Sequence, residues 1–253
     1  MQLFGPMLYT VLLWWFSTGV ILYLNGLPRA THKWTMAGAT VLLGLALCGV
    51  AVTASDTRVS GAYLAFTSSL MVWAWQEVGF LLGYVTGPRR SACPPGAQGW
   101  QRLRSALMAI LYHELALVVL AAAIVALTWQ QPNQVALWTF AALWLMRLSA
   151  KLNIYLGVRN LNAQFLPEHL RYMHSYFRQR RSNALFASSV IFATLTAAAV
   201  WHHAGAVAAT PFAAAAASFV AMLLSLAVLE HWFMVLPLPS ERLWAWGMRS
   251  RAD

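Results

Sequence analysis

Charge is the scarcest property of this sequence. Only 9% of its 253 residues are Asp, Glu, Lys or Arg, against roughly 25% in soluble domains. Too few charges remain to cover a water-exposed surface, and they are lopsided, 17 Lys and Arg against 7 Asp and Glu. Cysteine is nearly absent. Cys48 lies in an apolar run and Cys93 in a Pro-rich stretch, so a secreted disulfide scaffold is excluded. The sequence has no Walker loop, dinucleotide glycine pattern, nucleophile elbow, His-Glu-x-x-His motif, Cys-x-x-Cys or histidine-box cluster. It also lacks the half-to-half repeat that many carriers show. The net charge of +10 is divided among short stretches instead of forming one stripe, so nucleic-acid binding is not expected.

What is present is apolar: 60% of the chain. Seven runs have the length of about 20 residues that crosses a bilayer as a helix. They are Pro6–Leu24, Trp34–Ala54, Gly61–Val85, Leu103–Trp129, Val135–Gly157, Leu185–His202 and Pro211–Leu236. None alternates as barrel strands do, so the expected fold is an all-α bundle of seven transmembrane helices forming a single transmembrane domain. Arg and Lys choose the orientation. The connections after helices one, three and five, plus the C-terminal tail, hold 14 of the 17, while the other connections hold only Arg58. By the positive-inside rule the N-terminus is periplasmic and the C-terminus cytoplasmic. Trp34, Trp100, Trp129, Trp138, Trp201 and Trp244 fall near span ends, where indoles anchor at headgroup level. Between spans five and six, the stretch from Pro167 reads as a short amphipathic cytoplasmic helix along the membrane surface, with Leu166, Leu170, Met173 and Phe177 on one side.

Ionisable groups inside spans are costly and mark function by default. Here they are Glu77 in span three, His113 and Glu114 in span four, Arg147 and Lys151 in span five, and Glu230 and His231 in span seven. Counted from the nearer basic connection, these helices carry their charges at about 10–17 Å depth, which predicts one polar layer. Arg147 and Lys151, four residues apart, share a helix face and need acidic partners. Three uses of such a layer stay open. The carboxylates and cations can pair and hold the bundle together. Glu77, His113, Glu114, Glu230 and His231 can ligate iron or manganese, with Glu168, His169 and His174 as possible contributors from the amphipathic stretch, though adjacent His-Glu pairs lie about 100° apart on a helix. His113 or His231 can ligate a tetrapyrrole, haem or bacteriochlorophyll. Proton relay through the Glu and His groups is a further use.

Several segments together resemble the PuhE family: Asp56–Phe66, Trp75–Glu77, Thr86–Pro95, Ile110–Leu115, Arg147–Asn153, Phe165–Tyr172 and Leu229–Phe233. These are assembly proteins of photosynthetic complexes in purple phototrophic bacteria, encoded with genes for the reaction-centre H subunit. The resemblance covers the chain from Tyr9 to Pro239 and is specific only as a set. It implies a role in assembling the reaction centre and core antenna in the inner membrane and its photosynthetic invaginations, with their subunits or other assembly factors as partners and bacteriochlorophyll or a precursor as possible cargo. It implies no active site. The rival expectation is a membrane metalloenzyme that uses the Glu and His ligands on a tetrapyrrole or other lipid-soluble substrate.

Overall fold

The chain is all-helical. The structure, a computed structural model, describes residues 3–161 and 163–251. Seven long helices follow one another: α1 Phe4–Gly26, α2 His32–Thr53, α3 Val59–Leu81, α4 Gly99–Thr128, α5 Val135–Leu156, α6 Ala184–His202 and α7 Pro211–Phe233. No strand occurs among the described residues; Val158 and Gln179 form a single isolated bridge. Local signals set several helix ends. Asn183 and Thr210 cap α6 and α7 by accepting the backbone N–H groups of Phe186 and Ala213, and Pro211 occupies the first turn of α7.

Two ends of the bundle can be told apart by which connections meet. At one end the α1–α2, α3–α4 and α5–α6 connections come together, with Arg29, His32, Gly83, Arg90 and His169 around one cleft. Asn160 of the α5–α6 connection donates there to the carbonyls of Phe233 and Leu236 at the end of α7. At the other end, buried Asn133 between α4 and α5 donates to the carbonyls of Thr53, Asp56 and Gly61 between α2 and α3, at 3.0, 3.0 and 3.4 Å. The helices therefore thread alternately, and the Arg-rich connections share the first end. Near the second end Tyr9, Tyr63, Phe66 and Phe219 form the aromatic centre of the core, with Phe66 and Phe219 stacked at 4.3 Å.

Six helices are long and apolar enough to cross a membrane, spanning Phe4–Gly26, Arg29–Thr53, Gly99–Thr128, Val135–Leu156, Ala184–Val207 and Pro211–Phe233. This is the character of a multi-pass membrane protein. The exception is α3, although it runs from one end of the bundle to the other. Its Ser68, Ser69 and Gln76 are buried and its neighbours are α1, α2, α4, α5 and α7, so protein surrounds them and the helix can carry polar residues that would be costly against acyl chains.

Four expectations need correcting. Helix α3 stops at Leu81, not Val85, because Gly83 turns the chain at φ +83°. Residues 82–89 then run irregularly against α4, where the Thr86 carbonyl accepts the His113 backbone N–H at 3.0 Å. Helix α7 stops at Phe233, not Leu236, and the tail folds back on the second half of α1: the Trp15 indole donates to the Leu243 carbonyl and Ser250 to the Tyr23 carbonyl. Trp244 is accordingly no interfacial anchor. Its buried indole donates to the Trp15 carbonyl and packs on Trp14. The amphipathic stretch is a 3-10 helix, Glu168–Tyr176, whose three residues per turn bury Leu170, Met173 and Tyr176 in place of the α-helical set. It packs on α4 and the α3–α4 connection, with Tyr176 held by Arg89 and Arg102.

Arg102 is more than one positive charge among many. It is buried, donates to the carbonyls of Tyr155 and Tyr176, and stacks 4.0 Å from the Tyr155 ring centre. Replacing it with Gln removes charge-assisted bonds and the ring contact together. The expected loss is about 2 kcal/mol in chemical unfolding of the detergent-solubilised protein, with earlier proteolysis in the 168–178 segment.

Candidate functional site

Helix α5 is the hub of the polar layer, and its periodicity explains why. At about 100° per residue, Arg147 and Lys151 lie on one side, and Ser149 and Asn153 lie on the opposite side, some 200–240° round. The cationic side faces α3 and α4: Arg147 Nη2 donates to Glu77 Oε2 at 2.8 Å and Lys151 Nζ to Glu114 Oε1 at 2.6 Å. The neutral side faces α6 and α7. Ser149 Oγ meets His231 Nε2 at 2.9 Å, and Asn153 bonds Ser189 and the capping residue Asn183. One helix thus binds four neighbours through side-chain polar contacts, the role such groups play where hydrocarbon offers no competing water.

The expected seven-residue cluster is therefore divided. Glu77, Arg147, Glu114 and Lys151 form two ion pairs on one side of α5. Buried His113 lies within electrostatic reach of Lys151 and Arg147, with its ring 4.8 Å from Phe80. Among the described residues Glu230 has no cation in contact. Its Oε1 accepts the Trp14 indole N–H at 2.8 Å, while Arg147 and Glu77 interact with it through space. His231 lies on the far side of α5: its Nδ1–H donates to the Ala227 carbonyl at 2.8 Å, which leaves Nε2 as the acceptor for Ser149. Glu168 is exposed, His169 lines the cleft at the basic end, and His174 packs on Phe177. None of these three joins the layer.

Neither expected cofactor fits these residues. Among the described residues no three His, Cys, Asp or Glu side chains converge as a metal ion requires, because Glu77 and Glu114 face cations and His231 faces Ser149. A tetrapyrrole needs an imidazole with a free nitrogen and an open face. His231 has both nitrogens engaged, and His113, although its Nδ1 has no partner among the described residues, is only 2% exposed and walled by Phe80.

What the layer does offer is outward charge. The Arg147 side chain is 44% exposed, against 12% for its partner Glu77, and Glu230 is exposed on α7. The Lys151 and Glu114 side chains are 23% and 24% exposed. Sequence reasoning missed Trp14, Gln76, Ser149 and Asn153. The signal was available for the last two, neutral polar residues offset by two positions from the cations in an otherwise apolar helix. Gln76 is 0% exposed, and neither its amide oxygen nor its nitrogen has a partner among the described residues. Gln76→Leu keeps the volume and removes an unpaired amide, so thermal unfolding should show a gain of about 1–2 kcal/mol. A loss would reveal a hydrogen-bonding duty for that amide.

The whole chain, residues 1–253, matches the family described as "Protein of unknown function (DUF3623)". The chain belongs to the DUF3623 family. A family relative from Rhodobacter capsulatus, described as an uncharacterized 30.4 kDa protein in the puhA 5' region, is 41% identical over 252 residues, 97% of this chain and 91% of the relative. The layer described above is thus set in a DUF3623 protein of nearly full relative length. No solved structure matches it.

Proposed function

We propose that this DUF3623 protein is an assembly factor for the photosynthetic reaction centre and its core antenna, the role attached to the PuhE resemblance. Support comes from the relative's place beside puhA, a reaction-centre gene. In this reading all seven helices, α3 included, cross the inner membrane and its intracytoplasmic extensions, with the N-terminus periplasmic and the basic end cytoplasmic. The observation that carries the mechanism is the outward charge at Arg147 and Glu230. A half-exposed guanidinium and a carboxylate inside spans are costly against acyl chains and favour a polar group on a neighbouring transmembrane segment. A nascent subunit supplying that group would be held until its own partner displaced it. Pigment need not be carried, since neither layer histidine offers a ligand position.

The test is complementation in a purple phototroph deleted for its own DUF3623 protein. Wild-type chain should restore the near-infrared absorbance of reaction centre and core antenna. Arg147→Met and Glu230→Leu, inserted at wild-type amounts, should restore a small fraction. Full absorbance in the deletion strain itself would overturn the assembly role; full rescue by both variants would remove the charged face from it.

A further inference from the structure

Outside the charged layer, the basic end carries a second grouping of polar side chains. A cleft of about 290 Å³ is bordered by residues from three separate connections: Arg29 and His32 after α1, Gly83, Tyr84 and Arg90 after α3, and His169 after α5. Among the described residues no acidic side chain lines it and neither arginine forms an ion pair. Arg90 spends one donor on a long 3.3 Å bond to the Gly83 carbonyl, which orients the guanidinium and leaves its other donors free. His169 is held through the Leu81 carbonyl, while its buried Nε2 has no partner among the described residues. Gly83 makes the fit possible. Its φ of +83° disfavours other residues, and an added Cβ would stand 3.1 Å from His169 Cδ2 and Nε2.

We propose that this cleft binds a phosphate group, carried by an anionic phospholipid headgroup or by a soluble phosphate ester. Two guanidinium forks, joined by the His169 imidazole once it is protonated, supply the charge-assisted donors that phosphate oxygens accept. The volume falls at the lower edge of the roughly 300–1,000 Å³ of small-ligand sites, suited to a phosphate and its first substituents. Helix α2 begins at His32, adding the partial positive charge of a helix N-terminus. Headgroups lie within reach: neighbouring Trp34 is 71% exposed, with Lys33 over its ring, the pattern of an interfacial anchor. Burial first, then the charge of Arg29, and further the charges of His32 and Arg90, hold the His169 imidazole below its ordinary pKa. A bound anion offsets those cations and favours protonation, so binding tightens as pH falls through the usual histidine range.

Native mass spectrometry of the full-length protein released from detergent tests the site, with dioleoylphosphatidylglycerol and dioleoylphosphatidylcholine as probes and inorganic phosphate as competitor. Wild-type protein should retain the anionic lipid over the zwitterionic one, and R29Q/R90Q should weaken retention on the order of tenfold or more. The control is R159Q/R181Q at the separate cleft bordered by Arg159, Gln179, Arg180 and Arg181, which should leave retention unchanged. Displacement by millimolar inorganic phosphate assigns a soluble ester, and resistance to it assigns the lipid. Equal retention of both lipids, unchanged binding in R29Q/R90Q, or loss only in R159Q/R181Q overturns the proposal. Should R29Q/R90Q fail to fold, His169→Gln keeps both guanidinium groups and should weaken the tightening from about pH 8 to about pH 6, and an unchanged pH response in that variant overturns the proposal. Wild-type protein without that tightening overturns the proposal as well.

Discussion

Lys151→Met should cost roughly 2–3 kcal/mol of stability, and adding Glu114→Leu should return most of it. Removing one member of a buried pair leaves the other charge unpaired, which costs about 3–5 kcal/mol when burial is complete. Each side chain here is about a quarter exposed, which trims the estimate. Arg147 cannot take over, because it already donates to Glu77. The double variant replaces the pair with apolar groups matched to hydrocarbon, so no charge is stranded. The measurement is denaturant unfolding in mixed micelles across the four-member cycle, reading the coupling between the two positions. A double variant no more stable than Lys151→Met alone would refute the pairing. The same change at Arg147 strands Glu77, whose side chain is 12% exposed, and should cost a similar amount. The two pairs separate instead in outlook: Arg147 is 44% exposed and open to a partner, whereas Lys151 is 23% exposed.

That separation marks where sequence reasoning reached its limit. Helix number and approximate ends were legible because apolar length is a one-dimensional property, and the α5 cation stripe was legible because residues four apart share a face whatever surrounds them. That the stripe needs acidic partners followed from charge balance in hydrocarbon, but not which of Glu77, Glu114 and Glu230 would serve. Which way Glu230 and His231 point did not follow, since neighbours on a helix diverge by about 100° and nothing local says which of the two meets α5. The structure sends His231 to Ser149 and Glu230 to Trp14, an arrangement that depends on where α1 and α7 pack. The tail posed the same problem: its two glycine contacts with α1, Gly19 under Trp246 and Gly247 against the Gly19 carbonyl, are long-range fits that no periodicity announces. Residues 82–85 read as the last turn of a helix for a plainer reason, their apolar Leu82, Tyr84 and Val85, whereas Gly83 ends the helix through its backbone conformation.

Gly87→Ala should be the most damaging single-methyl change in the protein, on the order of 4 kcal/mol. A Cβ at Gly87 would stand 2.1 Å from the Met108 carbonyl oxygen, 2.6 Å from the Ala109 carbonyl carbon and 2.8 Å from its oxygen. All three atoms belong to the backbone of α4, so no rotamer change relieves the clash, and overpacking without relief exceeds the usual 1–3 kcal/mol. The stretch must then lift from α4, breaking the bonds from Arg89 N–H to the Met108 carbonyl and from His113 N–H to the Thr86 carbonyl. Both effects are measurable: a lowered unfolding midpoint, and trypsin cleavage at Arg89 or Arg90 in protein that is otherwise folded. Gly38→Ala supplies the contrast, because nothing lies within 4 Å of a Cβ there, and a helix-interior Gly→Ala change should stabilise by about 0.5–1 kcal/mol. If Gly87→Ala behaved like Gly38→Ala, the connection would not dock on α4 as described. The position of His113 beside the charged layer would then need another cause, since its backbone is tied to the same stretch that Gly87 lets approach.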